Sequence, residues 1–221
     1  MTSRAAILDG IRRRLHRSTL SAERVAVLQE GLDRPCRSPM PARGLGSHAD
    51  QVALFTAMAS ELAATVERLD ESSRIPAAVA RFLTAEASAG PVRVAPALRD
   101  LAWSEAGLTV AFGAADPGDA VSVTPSFAGI AETGTLALLS GPDSPTSLNF
   151  LPDMHIAVLM AADVVGVYED VWDRLRRQAL PRTVNLITGP SRTGDIEQTI
   201  QLGAHGPRRL HILLVDDRPA P

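Results

Sequence analysis

Along this chain, apolar residues recur at helical spacing early and as continuous short runs later. Ile7, Ile11 and Leu15 stand four apart with Arg12, Arg13 and Arg14 between them, which predicts a helix over residues 3–16. Residues 33–47 (DRPCRSPMPARGLGS) break every periodicity with proline, glycine and arginine. Ser47, followed three residues later by Asp50, has the form of a capping box that opens a second helix. Phe55, Met58, Ala59, Leu62, Val66 and Leu69 would line one face of it through residue 69. A third helix is predicted over 74–87, with Pro76 in its first turn.

After residue 90 the period changes. Runs at 92–95, 108–112, 120–123, 135–140, 156–160, 184–188 and 210–215 read as strands. Several are continuously apolar, as strands buried on both faces are. Helical pieces are expected at 97–102, 125–131, 169–180 and 195–202, the second opened by Thr124 and Pro125 as cap and first helical residue. Alternation of this kind defines an open α/β sheet with helices on both sides. The domain organisation expected is an N-terminal helical segment with a Pro/Arg-rich linker over 1–47, then one domain over 48–221.

Composition narrows the chemistry. The chain has 221 residues, 45% of them apolar, which is enough for a sizeable core. Its formal charge of −3 gives no electrostatic reason to expect nucleic acid or a membrane surface as a partner. All of its 22 basic residues are arginine, so Schiff-base chemistry and a lysine-dependent phosphate loop are excluded. Cys36 is the single cysteine, from which neither an internal disulfide nor an iron–sulfur cluster can be built. There is no secretory h-region and no apolar run of membrane-spanning length, so a cytoplasmic protein is expected. No dinucleotide fingerprint, Walker loop, nucleophile elbow or metal-ligand spacing occurs, so no metal or redox cofactor of its own is expected.

Three stretches carry candidate chemistry. The first runs from Gly189 through Ser191, Arg192 and Thr193 to Asp195, Glu197 and His205. Placed at the carboxyl end of the 184–188 strand, Arg192 and the N–H groups of a helix starting near Gly194 would bind a small anion such as a carboxylate. Alternatively, Asp195 and Glu197 occupy the first turn to suit the helix dipole and Arg192 is merely solvated. The second stretch is Glu132-Thr133-Gly134-Thr135, a carboxylate and two hydroxyls on a glycine turn. It could bind ligand, with Glu132 as acid or base, or simply satisfy local backbone. Third, His155 opens an apolar strand; taken singly, His155 and His205 are more often structural than catalytic.

Together these segments resemble the LUD (lactate utilisation) domain. The resemblance rests on Ala131-Glu132-Thr133-Gly134-Thr135, on Leu151-Pro152 with His155-Ile156, on Gly189-Pro190-Ser191-Arg192-Thr193 with Asp195-Ile196-Glu197, and on Gly203 with His205-Gly206-Pro207. It spans roughly residues 48–216. The resemblance implies a Rossmann-like α/β sheet related to the NagB/RpiA/CoA-transferase group. It also implies a part in oxidising L-lactate to pyruvate beside iron–sulfur and cysteine-rich subunits. With Cys36 alone the chain matches the cluster-free type, so any iron–sulfur clusters would sit on partner subunits. The resulting expectation is a possible subunit of an L-lactate dehydrogenase complex, incomplete as an oxidoreductase by itself. Two alternatives stand beside it: an independent CoA-transferase-like or sugar-phosphate-isomerase-like enzyme, and a non-catalytic assembly protein.

Overall fold

The computed structural model describes residues 3–193, 201–203 and 205–217. The chain divides into two units, Met1–Pro39 and Met40–Pro221. The first holds α1 (Ser3–Arg14) and α2 (Ala22–Asp33), neither of which buries a residue. The sequence pattern marks α1 but not α2, whose start is capped by Ser21, its side chain accepting from the Arg24 amide at 3.2 Å. The expected boundary at residue 47 falls inside the larger unit. There Gly44 is buried in a short 3₁₀ turn, Ala42–Gly44, and its carbonyl accepts from Gln51 Nε2 at 3.1 Å.

The larger unit opens with α3 (His48–Glu61). Its start is the expected capping box: Ser47 Oγ accepts from the Asp50 amide and the Asp50 carboxylate accepts from the Ser47 amide. The expected extension to residue 69 does not occur. Ala63 turns left-handed at φ +66°, and the chain re-emerges as β1 (Thr65–Leu69), where β-branched Thr65 and Val66 suit a strand better than a helix. Then come α4 (Ile75–Ala85), β2 (Val92–Val94), β3 (Val110–Phe112), β4 (Val121–Pro125), β5 (Ala128–Ile130), β6 (Thr135–Leu139) and β7 (Met154–Met160). The chain continues through β8 (Val164–Val165), α5 (Tyr168–Leu175), β9 (Val184–Ile187), β10 (Arg192–Thr193), β11 (Gln201–Leu202) and β12 (Arg209–Val215).

The main sheet has six strands in the order β1-β12-β7-β4-β2-β3, every pair parallel. Helices cover both of its faces, as the alternation implied. On one face, Ile75, Ala78, Val79 and Leu83 of α4 meet Val121, Val123, Ile156, Val158, Leu213 and Val215. On the other, Phe55 and Ala59 of α3 meet Ala157, Leu159, Ile212 and Leu214. Successive residues of β7 and β12 thus feed opposite layers, which is why β7 from Ile156 and β12 from Ile212 read as unbroken apolar runs.

A second sheet, β8-β5-β6-β9, was not foreseen. The helix expected at 125–131 is instead the hairpin arm β5, antiparallel to β6 with Ile130 opposite Thr135. The strands foreseen at 135–140 and 184–188 pair with each other here and take no part in the main sheet. Leu136 and Leu138 of β6 face α3 and the main sheet, while Ala128, Ile130 and Ala137 face Val171 and Leu175 of α5. The helix expected at 169–180 ends at Leu175, and that at 97–102 shrinks to a 3₁₀ turn, Pro96–Leu98. Of the helix expected at 195–202, residues 195–200 lie outside the described residues, and Gln201–Leu202 form β11, antiparallel to β10. Among the described residues no helix is long and apolar enough to cross a membrane.

Gly134 ends the β5–β6 turn at φ +62°, and a Cβ there would overlap the backbone of Met58 and Ala59 on α3. Gly134→Ala meets both a disfavoured dihedral and an unyielding helix backbone, so it should cost about 2–4 kcal/mol. Urea denaturation of the two proteins checks this; a loss below about 1 kcal/mol would mean the hairpin can lift from α3 at little cost.

Candidate functional site

A cavity of about 200 Å³ lies between the two sheets. His155 on β7 and Leu210 on β12 contribute from the main sheet, and Leu186 and Ile187 from β9. Asn149 and Phe150, from the 3₁₀ turn Thr146–Asn149 and its cap, line one side. Gly189, Pro190 and Ser191 line it with His205, Gly206 and Pro207. The cavity touches the amino ends of β7 and β12, because His155 and Leu210 are each the second residue of their strand. The Gly189–Ser191 wall follows the carboxyl end of β9, whereas the main sheet turns the amino ends of β7 and β12 to the cavity.

The floor is polar and buried. His155 is 1% exposed, and its Nε2 lies 2.7 Å from the Thr124 hydroxyl on the neighbouring strand β4. That bond fixes the ring and leaves Nδ1 with no hydrogen-bond partner among the described residues. Asn149 is 0% exposed, and neither atom of its amide has a partner among the described residues. Its position is set one residue earlier, where the buried Ser122 hydroxyl donates to the Leu148 carbonyl at 2.6 Å. Burial pushes the His155 imidazole down from 6.5 to about 4, so at neutral pH this floor carries no charge. Leaving buried polar atoms unpaired is costly, and three of the seven such atoms among the described residues belong to Asn149 and His155 at this cavity.

The walls are held by backbone. The Ser191 amide donates to the Pro207 carbonyl at 2.8 Å, and the Gly203 amide donates to the Ser191 carbonyl at 3.0 Å. The hairpin pairs Arg192 with Leu202 and Thr193 with Gln201. Gly189, at φ +77°, lets this segment approach the Leu62 carbonyl at the end of α3, where a Cβ would collide.

The candidates from the sequence separate into groups. His155, Ser191 and His205 meet around the cavity. Arg192 does not line it: Nη2 donates to the Leu62 carbonyl at 2.8 Å, so the guanidinium caps α3 where the helix dipole favours a cation. Thr193 is on β10. Asp195 and Glu197, and with them the anion site expected at a helix start, lie outside the described residues. The Glu132 cluster forms a separate polar knot. Glu132 Oε1 accepts from the Tyr168 amide at 3.0 Å and so holds the start of α5. Thr135 Oγ1 lies 2.7 Å from the hydroxyls of both Thr133 and Thr188 and 3.0 Å from that of Tyr168. Gly134 packs on α3, and none of residues 132–135 lines the cavity. Asn149 was missed. Its only sequence signal is an amide between Leu148 and Phe150, an unusual place for a solvated side chain.

This geometry defines an α/β protein with a small, neutral-floored cavity between two stacked sheets. The LUD domain model matches residues 99–215, more than half of the chain, and the chain belongs to that family. A crystal structure of a DUF162 family protein from Deinococcus radiodurans has the same fold: TM-score 0.59, 21% identity, covering 77% of this chain and 99% of that one. An uncharacterized protein of Neisseria meningitidis serogroup B is 39% identical over 89 residues, 39% of this chain and 38% of that protein. Lactate utilization protein C of Anoxybacillus flavithermus is 32% identical over 98 residues, 44% of each chain. Lactate utilization protein C of Bacillus subtilis is 35% identical over 103 residues, 44% of this chain and 43% of that one. The aligned stretches therefore span less than half the length of these curated relatives.

Two outcomes are expected. The unfolded chain protonates His155 near pH 6.5, whereas the folded protein waits until about 4. The stability that this difference provides is present in full above 6.5 and lost as pH falls towards 4, by up to about 3 kcal/mol. His211, also pushed down by burial, adds to the same acid limb. Denaturation curves at stepped pH should show this limb reduced in His155→Leu; an unchanged limb would mean that the imidazole is already charged when folded. Arg192→Ala should remove the cap on Leu62 and lower stability by about 1 kcal/mol at neutral pH, read from the same curves. No change would show that water caps α3 equally well.

Proposed function

We propose that this chain serves lactate utilisation, as the cluster-free subunit of a system that oxidises L-lactate to pyruvate with iron–sulfur partner subunits. In this reading the cavity holds the small hydroxy or keto acid. Redox chemistry belongs to the partners, because a single cysteine and no dinucleotide fingerprint leave this chain no electron carrier of its own making.

The observation that carries the reading is where the cavity lies. Its lining includes His155 and the Gly189-Pro190-Ser191 and His205-Gly206-Pro207 segments, the same stretches on which the LUD resemblance rests. Two of the relatives, matched over 98 and 103 residues, carry the name lactate utilization protein C. The volume of about 200 Å³ also fits the proposal, being room for about six or seven water-sized groups. Apolar Leu186, Ile187, Pro190 and Leu210 line it beside the polar floor, as small-molecule sites require.

The purified chain should be colourless and should not oxidise lactate alone, yet millimolar L-lactate or pyruvate should raise its melting temperature by mass action. Adding iron–sulfur partner subunits should restore lactate oxidation, and the chain should co-purify with them. Stoichiometric flavin or iron in a partner-free preparation, or full lactate oxidation by partners lacking this chain, would overturn the assignment.

A further inference from the structure

We infer that Asn149 and His155 read the oxygen on the carbon next to the carboxylate, so that the acid enters hydroxyl- or keto-end first and keeps its carboxylate at the Ser191–His205 side. The inference rests on the small-acid reading above and adds the orientation and the residues that select for it.

The charge balance of the cavity sets the direction. Among the described residues no arginine lines it, and its two most buried polar side chains are a primary amide and an imidazole kept neutral by burial. A carboxylate pressed against that floor would lose its hydration without gaining a counter-charge, which is costly. A hydroxyl or ketone loses far less and finds hydrogen bonds there. Ser191 and the exposed His205, by contrast, stand where water still reaches.

The floor also has the right valence. The Asn149 amide has both a donor and an acceptor without a partner among the described residues. The Thr124 hydroxyl can rotate. When it donates to His155 Nε2, Nδ1 carries the proton and can donate to a ketone; when it accepts from Nε2, Nδ1 is bare and can accept from a hydroxyl. One constellation therefore accommodates both the reduced and the oxidised form of a 2-oxygenated acid. Thr124 acts through His155 and is a positioning residue. Leu186, Ile187 and Leu210 are left to accept a short apolar substituent.

Isothermal titration at pH 7 of the full chain with L-lactate, pyruvate and propionate tests this, because propionate is the same acid without the C2 oxygen. Lactate and pyruvate should bind at least about tenfold more tightly than propionate, since propionate leaves the floor unpaired. In Asn149→Leu that preference should collapse, with lactate affinity falling about tenfold or more and propionate affinity unchanged. Propionate binding the unaltered protein as tightly as lactate, or Asn149→Leu keeping the preference, would overturn the inference while leaving the proposed function standing. Failure of all three acids to bind would overturn both. The propionate comparison uses the unaltered protein, so it decides the matter even if Asn149→Leu unfolds.

Discussion

Much of the larger unit hangs on the last turn of α3. The β5–β6 turn lies on the Met58–Ala59 backbone because Gly134 has no side chain. A few residues on, the Leu62 carbonyl is approached by Gly189 and capped by Arg192. One helix end therefore carries both the second sheet and the segment that walls the cavity. Such backbone-on-backbone contacts tolerate little adjustment, because a peptide cannot change rotamer to make room.

From that anchor the cavity follows. The second sheet buries Leu136 and Leu138 over α3 and the main sheet, and the Gly189–Ser191 segment emerges from its edge strand β9 over the start of β7 and β12. Where β4 and β7 meet beneath it, the apolar layer is interrupted by Ser122, Thr124 and His155. Ser122 and Thr124 spend their hydroxyls on positioning, one on the Leu148 carbonyl and one on the His155 ring. The atoms left over belong to Asn149 and His155. A purely apolar interior would be cheaper to build than a floor whose polar atoms are left without partners.

The Glu132 turn shows how a signature motif can serve the fold. Its carboxylate holds the start of α5, its two threonines join Thr188 and Tyr168 in one hydroxyl network, and its glycine lies on α3. These contacts tie β6, β9, α5 and α3 together around the cavity. They make the stretch distinctive in sequence without placing its carboxylate among the cavity's lining residues.

What was legible in the sequence was local or periodic. Mainly apolar runs marked β7 and β12 because both faces of a parallel sheet are covered, and Ser47 with Asp50 marked the start of α3 because a capping box involves only neighbours. His155, Ser191 and His205 could be named as candidates one by one. The end of α3 at Ala63 and the strand character of Ala128–Ile130 were not legible, because partners distant in the chain override local propensity there. Nor did the sequence show that the strands at 135–139 and 184–187 leave the main sheet for one of their own. That choice brings Ser191 and His205 over His155, leaves Asn149 beside it, and turns Arg192 to a helix end. It depends on which distant backbones can approach each other, and pairwise proximity across the fold is information that a single chain's pattern does not contain.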